Sequence, residues 1–123
     1  MNDILTPQQI ETEAKSFYQE GDYLKAAKSF EAARQGYTLA NKSIIAAEMA
    51  NNCSVSYLMA GENESALQAL EGVENVFIQA EDQKRQAITL GNQAAALDAL
   101  GQLDEAEQVY WQAAEIFKIL GDT

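Results

Sequence analysis

The side chains in this sequence with binding chemistry to offer are amides. Asn52 and Asn92 fall in one column of an internal repeat. An asparagine side chain both donates and accepts, so two in one column can pair with successive peptide groups of a bound chain without reading its sequence. Asparagine is also a poor residue for a helix interior, which argues that something other than propensity put it there. A second reading stays open, in which both amides bond across to a neighbouring repeat. Catalysis finds little material. The chain has no histidine and one cysteine, which removes the commonest general base and metal ligand and precludes an internal disulfide. No nucleophile has a plausible base, and neither a phosphate loop nor metal-ligand spacing is present. The expectation is therefore no enzyme, no cofactor and no metal. Cys53 reads as a small buried hydrophobe, with a reactive thiol as the alternative. The acidic clusters Glu62, Glu64 and Asp104, Glu105, Glu107 fall at helix starts, where carboxylates favour the dipole, and read as solvated caps rather than cation ligands.

The elements that must carry these residues announce themselves by repetition. Glycine recurs at Gly21, Gly61 and Gly101, a period of 40. Five residues after each stands Ala26, Ala66 or Ala106; nine after, Phe30, Leu70 or Tyr110; twelve after, Ala33, Val73 or Ala113. Four before come Phe17, Tyr57 and Leu97, and a further column holds Tyr37, Phe77 and Phe117. A fixed period of this size, with small and large apolar residues alternating inside it, signals stacked repeats rather than one closed core. Thr6-Pro7-Gln8-Gln9 is a helix start, with Thr6 as the cap, Pro7 at the first helical position and Gln9 as the capping-box partner. That helix should run to about Glu20, burying Ile10, Ala14 and Phe17, and end at Gly21. Asp22 should cap a second helix from Tyr23 to Ala40, about 27 Å long, burying Ala26, Phe30, Ala33, Tyr37 and Ala40. Asn41-Lys42-Ser43 breaks the pattern and supplies the next cap.

The second unit repeats the plan with helices over about 44–60 and 64–80, burying Ala47, Ala50, Ser54 and Tyr57, then Ala66, Leu70, Val73 and Phe77. The third buries Ala87, Leu90, Ala94 and Leu97, then Ala106, Tyr110, Ala113, Phe117 and Leu120. No stretch alternates with period two for long enough to suggest a strand. The 123 residues are one domain's worth of chain, and 47% hydrophobic content suffices for a continuous core. A net charge of -11 argues against nucleic acid or an anionic membrane as partner and favours basic or neutral ones. No signal segment and no run near the ~20 apolar residues of a membrane span appear, so a cytoplasmic protein is the default.

Three units of helix, glycine turn and helix, with small residues flanking the glycine, resemble tetratricopeptide repeats. The family's signature positions fall on Ala14, Phe17, Gly21, Tyr23, Ala26, Phe30 and Ala33 in the first unit, on Ser54, Tyr57, Gly61, Ala66, Leu70 and Val73 in the second, and on Ala94, Leu97, Gly101, Ala106, Tyr110 and Ala113 in the third. The usual period is about 34, so each unit here is longer by about one and a half helical turns, and the proline that commonly closes a repeat is missing. Longer helices would produce both departures. Forty-residue units of this kind are similar to those of the kinesin light chains and of the adaptors that bind spindle and G-protein partners. The resemblance implies an all-α, right-handed superhelix of three hairpins and six helices, with 1–123 as a single domain and repeats at about 7–40, 47–80 and 87–120.

It also implies a concave wall lined by the first helix of each pair. By the resemblance and the helical phase, Glu11, Thr12, Lys15, Tyr18 and Gln19 face that wall from the first unit. Glu48, Asn51, Asn52, Val55, Leu58 and Met59 do so from the second, and Ile88, Gly91, Asn92, Ala95 and Asp98 from the third. A peptide would place apolar side chains on Val55, Leu58, Met59 and Ile88 while its backbone bonds to amides; in the relatives with units of this length, asparagines in the Asn52 and Asn92 column hold a ligand's main chain. The peptide-binding set is Lys15, Tyr18, Glu48, Asn51, Asn52, Val55, Leu58, Met59, Ile88 and Asn92. Only Lys15 could serve the carboxylate clamp that some members of the family use, so a clamp is disfavoured. Gly91 costs a helix ~1 kcal/mol relative to alanine and would leave a notch for ligand backbone, although Gly36 and Gly72 read as further helical glycines. The last helix carries Tyr110, Trp111, Phe117 and Leu120 with nothing after it to cover them. Either the chain continues into a further repeat or that face packs on a second copy, with Trp111 as its anchor or as an ordinary surface aromatic. The function expected is protein-protein interaction through a peptide-binding groove; the alternative is an assembly scaffold acting through the last helix.

Overall fold

The computed structural model describes residues 4–121 and is all-helical. Its helices are α1 (Pro7–Gln19), α2 (Tyr23–Leu39), α3 (Ser43–Met59), α4 (Asn63–Gln68), α5 (Val73–Gln79), α6 (Gln83–Ala99) and α7 (Leu103–Ile119). The six rods read from the sequence are all present, and α4 with α5 forms the fourth of them in two pieces. Helix α1 begins as expected. Thr6 Oγ1 accepts the Gln9 N–H at 3.1 Å and Gln9 Oε1 accepts the Thr6 N–H at 2.8 Å, with Pro7 at the first helical position.

The hairpin bends fall on the three glycines. At Gly21 the backbone is left-handed (φ 81°), and the Asp22 and Gly21 N–H groups close back on the Phe17 and Tyr18 carbonyls at 2.9 and 3.1 Å, a Schellman ending. The same closure then recurs at each later bend: Lys42 to Tyr37, Glu62 to Tyr57, Asp82 to Phe77 and Gln102 to Leu97, each at 2.9 Å. The intervening left-handed positions are Asn41 (φ 60°) and Glu81 (φ 56°). The backbone thus repeats with half the period visible in the glycines, because asparagine or glutamate can be held in the conformation that glycine adopts freely.

Three local expectations hold only in part. Asp22 stands at the N-cap of α2 but its side chain makes no cap bond; its carboxylate lies 3.6 Å from Lys25 instead. Ser43 is the first residue of α3, and Lys42 holds the cap position without a side-chain bond. The helix expected over 64–80 is broken, because Gly72 turns left-handed (φ 76°) at the start of α5. The break leaves the Ala69 carbonyl without its usual helical donor, and Arg34 Nη1 of α2 donates to it at 3.0 Å, meeting the requirement that such groups be paired. Gly36, by contrast, is helical and has a packing reason: a Cβ there would lie 2.7 Å from Cγ of Pro7.

Each rod packs against the next, and α3 touches α4, α5 and α6 as well as α2. One core joins Ala14, Ala26, Phe30, Ala33, Tyr37, Ala46, Met49 and Cys53 from the first three helices; another joins Ala47 and Ala50 to Val73 and Phe77. Small residues recur at these contacts, so helix backbones approach closely while Phe30, Tyr37 and Phe77 fill the space between. Ala40 is a correction: it is the exposed C-cap of α2 rather than part of the stripe. The last column departs too. Ala106 and Ala113 are buried, whereas Tyr110 is 44% and Leu120 40% exposed and Phe117 is half-buried.

Candidate functional site

Helices α1 and α3 stand apart enough to leave a groove between them. It has a volume of about 300 Å³ and is lined by Lys15, Tyr18, Gln19, Phe30, Asn52 and Val55. Phe30, reaching in from α2 and only 4% exposed, closes the bottom. The rim is polar. Asn52 and Gln19 offer amides, and Tyr18 is held in place by an edge-to-face contact with Tyr23, ring centres 5.2 Å apart. Such a contact fixes an aromatic wall at little entropic cost to a later ligand.

The cation on this rim is already engaged. Lys15 Nζ lies 2.8 Å from Glu11 Oε2, and Tyr37 donates its hydroxyl to Glu11 Oε1 at 2.6 Å. Burial pushes the Glu11 carboxyl up, but the Lys15 and Tyr37 hydrogen bonds outweigh it and hold the carboxyl below its ordinary value. The same bond, with burial, pushes the Tyr37 hydroxyl up to about 12. Lys15 and Glu11 together present a nearly neutral pair to the groove, which is the wrong electrostatics for a carboxylate clamp. Burial, then the charge of Glu31, pushes the Cys53 thiol up to about 12; at 2% exposure it is a buried, protonated hydrophobe.

Of the residues assigned to the wall from sequence, the structure brings Lys15, Tyr18, Gln19, Asn52 and Val55 together. It gives three others a different task. Asn51 is 8% exposed, turned away from the groove toward α6, and donates to Thr89 Oγ1 at 3.0 Å. Asn92 donates to Asn51 Oδ1 at 3.0 Å, and the Thr89 hydroxyl in turn donates to the Arg85 carbonyl at 2.9 Å. This chain of bonds staples the second and third units. Of the two readings of the asparagine column, Asn92 thus follows the cross-repeat one, and Asn52 lies in the groove. Glu48 too has a partner on the third unit, since its carboxylate pairs with Arg85 Nε at 2.7 Å while Arg85 Nη1 also holds Asp82 at 2.8 Å. Leu58 is half-buried, Met59 and Ile88 are exposed, and none of the three lines the groove.

Sequence reasoning misses two kinds of contributor. Phe30 reads from its spacing as core alone, yet it also floors the groove. Thr89 and Arg85 carry no signal of their own, although Arg85 stands three residues after the Asp82 cap, whose carboxylate accepts its N–H at 3.0 Å. The exposed face of α7 holds Tyr110, Trp111 and Leu120 with Phe117 beside them, and Trp111 is 66% exposed. Among the described residues no group of metal-ligating side chains is assembled, and no helix is long and apolar enough to cross a membrane. Compared with known proteins, the chain matches no family model, no curated protein and no solved structure.

Proposed function

We propose that this chain is a tetratricopeptide-like adaptor that takes a short peptide segment in the groove between α1 and α3. One observation carries the reading: an apolar-floored slot of about 300 Å³ whose rim supplies amides from Asn52 and Gln19. That volume stands at the lower end of ligand sites, which run from roughly 300 to 1,000 Å³. It suits one bulky apolar side chain seated on Phe30 against Val55 and Tyr18, with Asn52 bonding the peptide groups beside it. The neutral Lys15–Glu11 pair leaves the anchor free of a charge requirement. The cytoplasm is the compartment that goes with such an adaptor.

A random-peptide display selection tests it. Enriched peptides should share an aliphatic or aromatic anchor; Asn52→Ala should weaken them by about threefold to tenfold through loss of a hydrogen bond, and Val55→Glu by about tenfold or more by putting a charge in the apolar slot. Asn92→Ala should lower the melting temperature yet leave those affinities within about twofold. Peptides that bind both groove variants as tightly as wild type would sink the reading.

A further inference from the structure

Helix α7 repeats the columns of the earlier second helices without their cover. Tyr110 occupies the place of Phe30 and Leu70, and Phe117 the place of Tyr37 and Phe77. Phe30, Leu70, Tyr37 and Phe77 are 4, 6, 3 and 0% exposed, whereas Tyr110 is 44% exposed and Phe117 half-buried. The physical difference is one helix. Helix α3 lies over α2 and α6 over α5, but among the described elements α7 packs extensively on α6 alone. The bare columns therefore match a helix lying on α7 as α3 lies on α2.

The chemistry of that helix is readable from what else changes in the column. Where the first two units hold Ala27 and Leu67, the third holds Glu107; where they hold Glu31 and Glu71, it holds Trp111. Asp104, Glu107 and Trp111 follow one stripe of α7 and line an open trough of about 630 Å³ with Gln108 and Gln112. Neither Asp104 nor Glu107 has an ion-pair partner among the described residues. Two free carboxylates beside an exposed indole form an acceptor for a guanidinium or ammonium group, by ion pairing and by cation–π contact. We propose that the outer face of α7 docks an amphipathic basic helix of a partner protein, its apolar edge on Tyr110 and Phe117 and its arginine or lysine side chains on Asp104, Glu107 and Trp111.

A second copy of the chain fits this face poorly. Each copy carries a net charge of -11, so two copies repel one another at long range. Stacking end to end fails on chemistry too, because the α1 positions equivalent to Met49 and Cys53 are Gln9 and Glu13, both exposed and polar.

Trp111 is the sole tryptophan, so its fluorescence reads this face directly. The probe is a synthetic helix-forming peptide as long as α7, with leucine and alanine along one stripe and arginine along the adjoining edge, beside the same peptide with glutamate in place of arginine. The arginine peptide should shift the Trp111 emission to the blue saturably, with binding weakened about tenfold between roughly 50 and 300 mM salt. The glutamate peptide should not shift it. In the Asp104→Lys, Glu107→Lys double variant, whose helix content is checked by circular dichroism because Asp104 lies in the first turn of α7 and favours its dipole, the preference should reverse. Equal response to both peptides, no response to the arginine peptide, or undiminished arginine-peptide binding by a double variant that is still net negative overturns the proposal. So does a blue shift on concentrating the protein alone, which would put a second copy on the face.

Discussion

Glycines separate residues that propensity alone treats as equal. Gly36 and Gly91 both lie inside unbroken helices, and each should cost ~1 kcal/mol relative to alanine. At Gly36 the added methyl would sit 2.7 Å from the Pro7 ring, whereas at Gly91 no atom lies within 4 Å. Gly91→Ala is therefore expected to raise stability by about 0.5–1 kcal/mol. Gly36→Ala should lose about 1 kcal/mol net, since overpacking against a rigid ring costs about 1–3 kcal/mol and outweighs the propensity gain. Thermal melts of the two variants should move in opposite directions from wild type; shifts of the same sign would refute the packing account. Asn51 and Asn52 make a parallel point. They are neighbours in sequence, about 100° apart around one helix, and only the position of α6 decides that the first is a staple and the second a groove residue.

At the scale of the element, the recurring left-handed turn is the organising device. At each bend a Schellman ending reverses the chain, and its left-handed residue is Gly21, Gly61 or Gly101 at one set of bends and Asn41 or Glu81 at those between. A left-handed glutamate carries a strain of about 1–2 kcal/mol, partly offset because glycine is freer when unfolded, by about 0.4–1 kcal/mol. Glu81→Gly is thus expected to stabilise by about 0.5 kcal/mol, and Gly101→Ala to destabilise by about 1 kcal/mol. Chemical denaturation of both checks this; an unstable Glu81→Gly would mean that the glutamate side chain has a role the turn does not reveal. Bends at Gly21, Gly61 and Gly101 are legible because glycine marks them. The break at Gly72 is not: it falls within an apolar stripe whose period runs through it, and Leu70, Val73 and Phe77 are buried just as an unbroken helix would bury them. What permits the break is Arg34, a long-range donor to Ala69, and its arrival there depends on how α2 lies beside α4.

For the molecule as a whole, the first three helices are tied by one tyrosine-to-glutamate spacing used twice. Tyr37 of α2 donates to Glu11 of α1, and Tyr57 of α3 to Glu31 of α2, at 2.6 and 3.3 Å. The Glu11 bond first, then burial, pushes the Tyr37 hydroxyl up to about 12; burial first, then nearby charges including Glu31, does the same for Tyr57. A tyrosine whose folded pKa is raised gives stability that is complete below the unfolded value near 10 and is lost as pH rises through about 12. Each deprotonation also adds negative charge to a chain already at -11, which opposes the compact state. Denaturation midpoints should therefore fall steeply from about pH 10 to about pH 12, and Tyr37→Phe should flatten that fall; an unchanged slope in the variant would exclude Tyr37 from it.

The amino-acid order alone determined the helical rods, their bends and most of the buried columns, because periodicity, capping and glycine conformation act over a turn or two of chain. Tertiary structure alone decided which amide faces a groove, which glutamate is consumed by Arg85, where the fourth rod breaks and which helix face is left bare. Those outcomes depend on how helices far apart in the sequence cross one another, and no local spacing encodes that geometry.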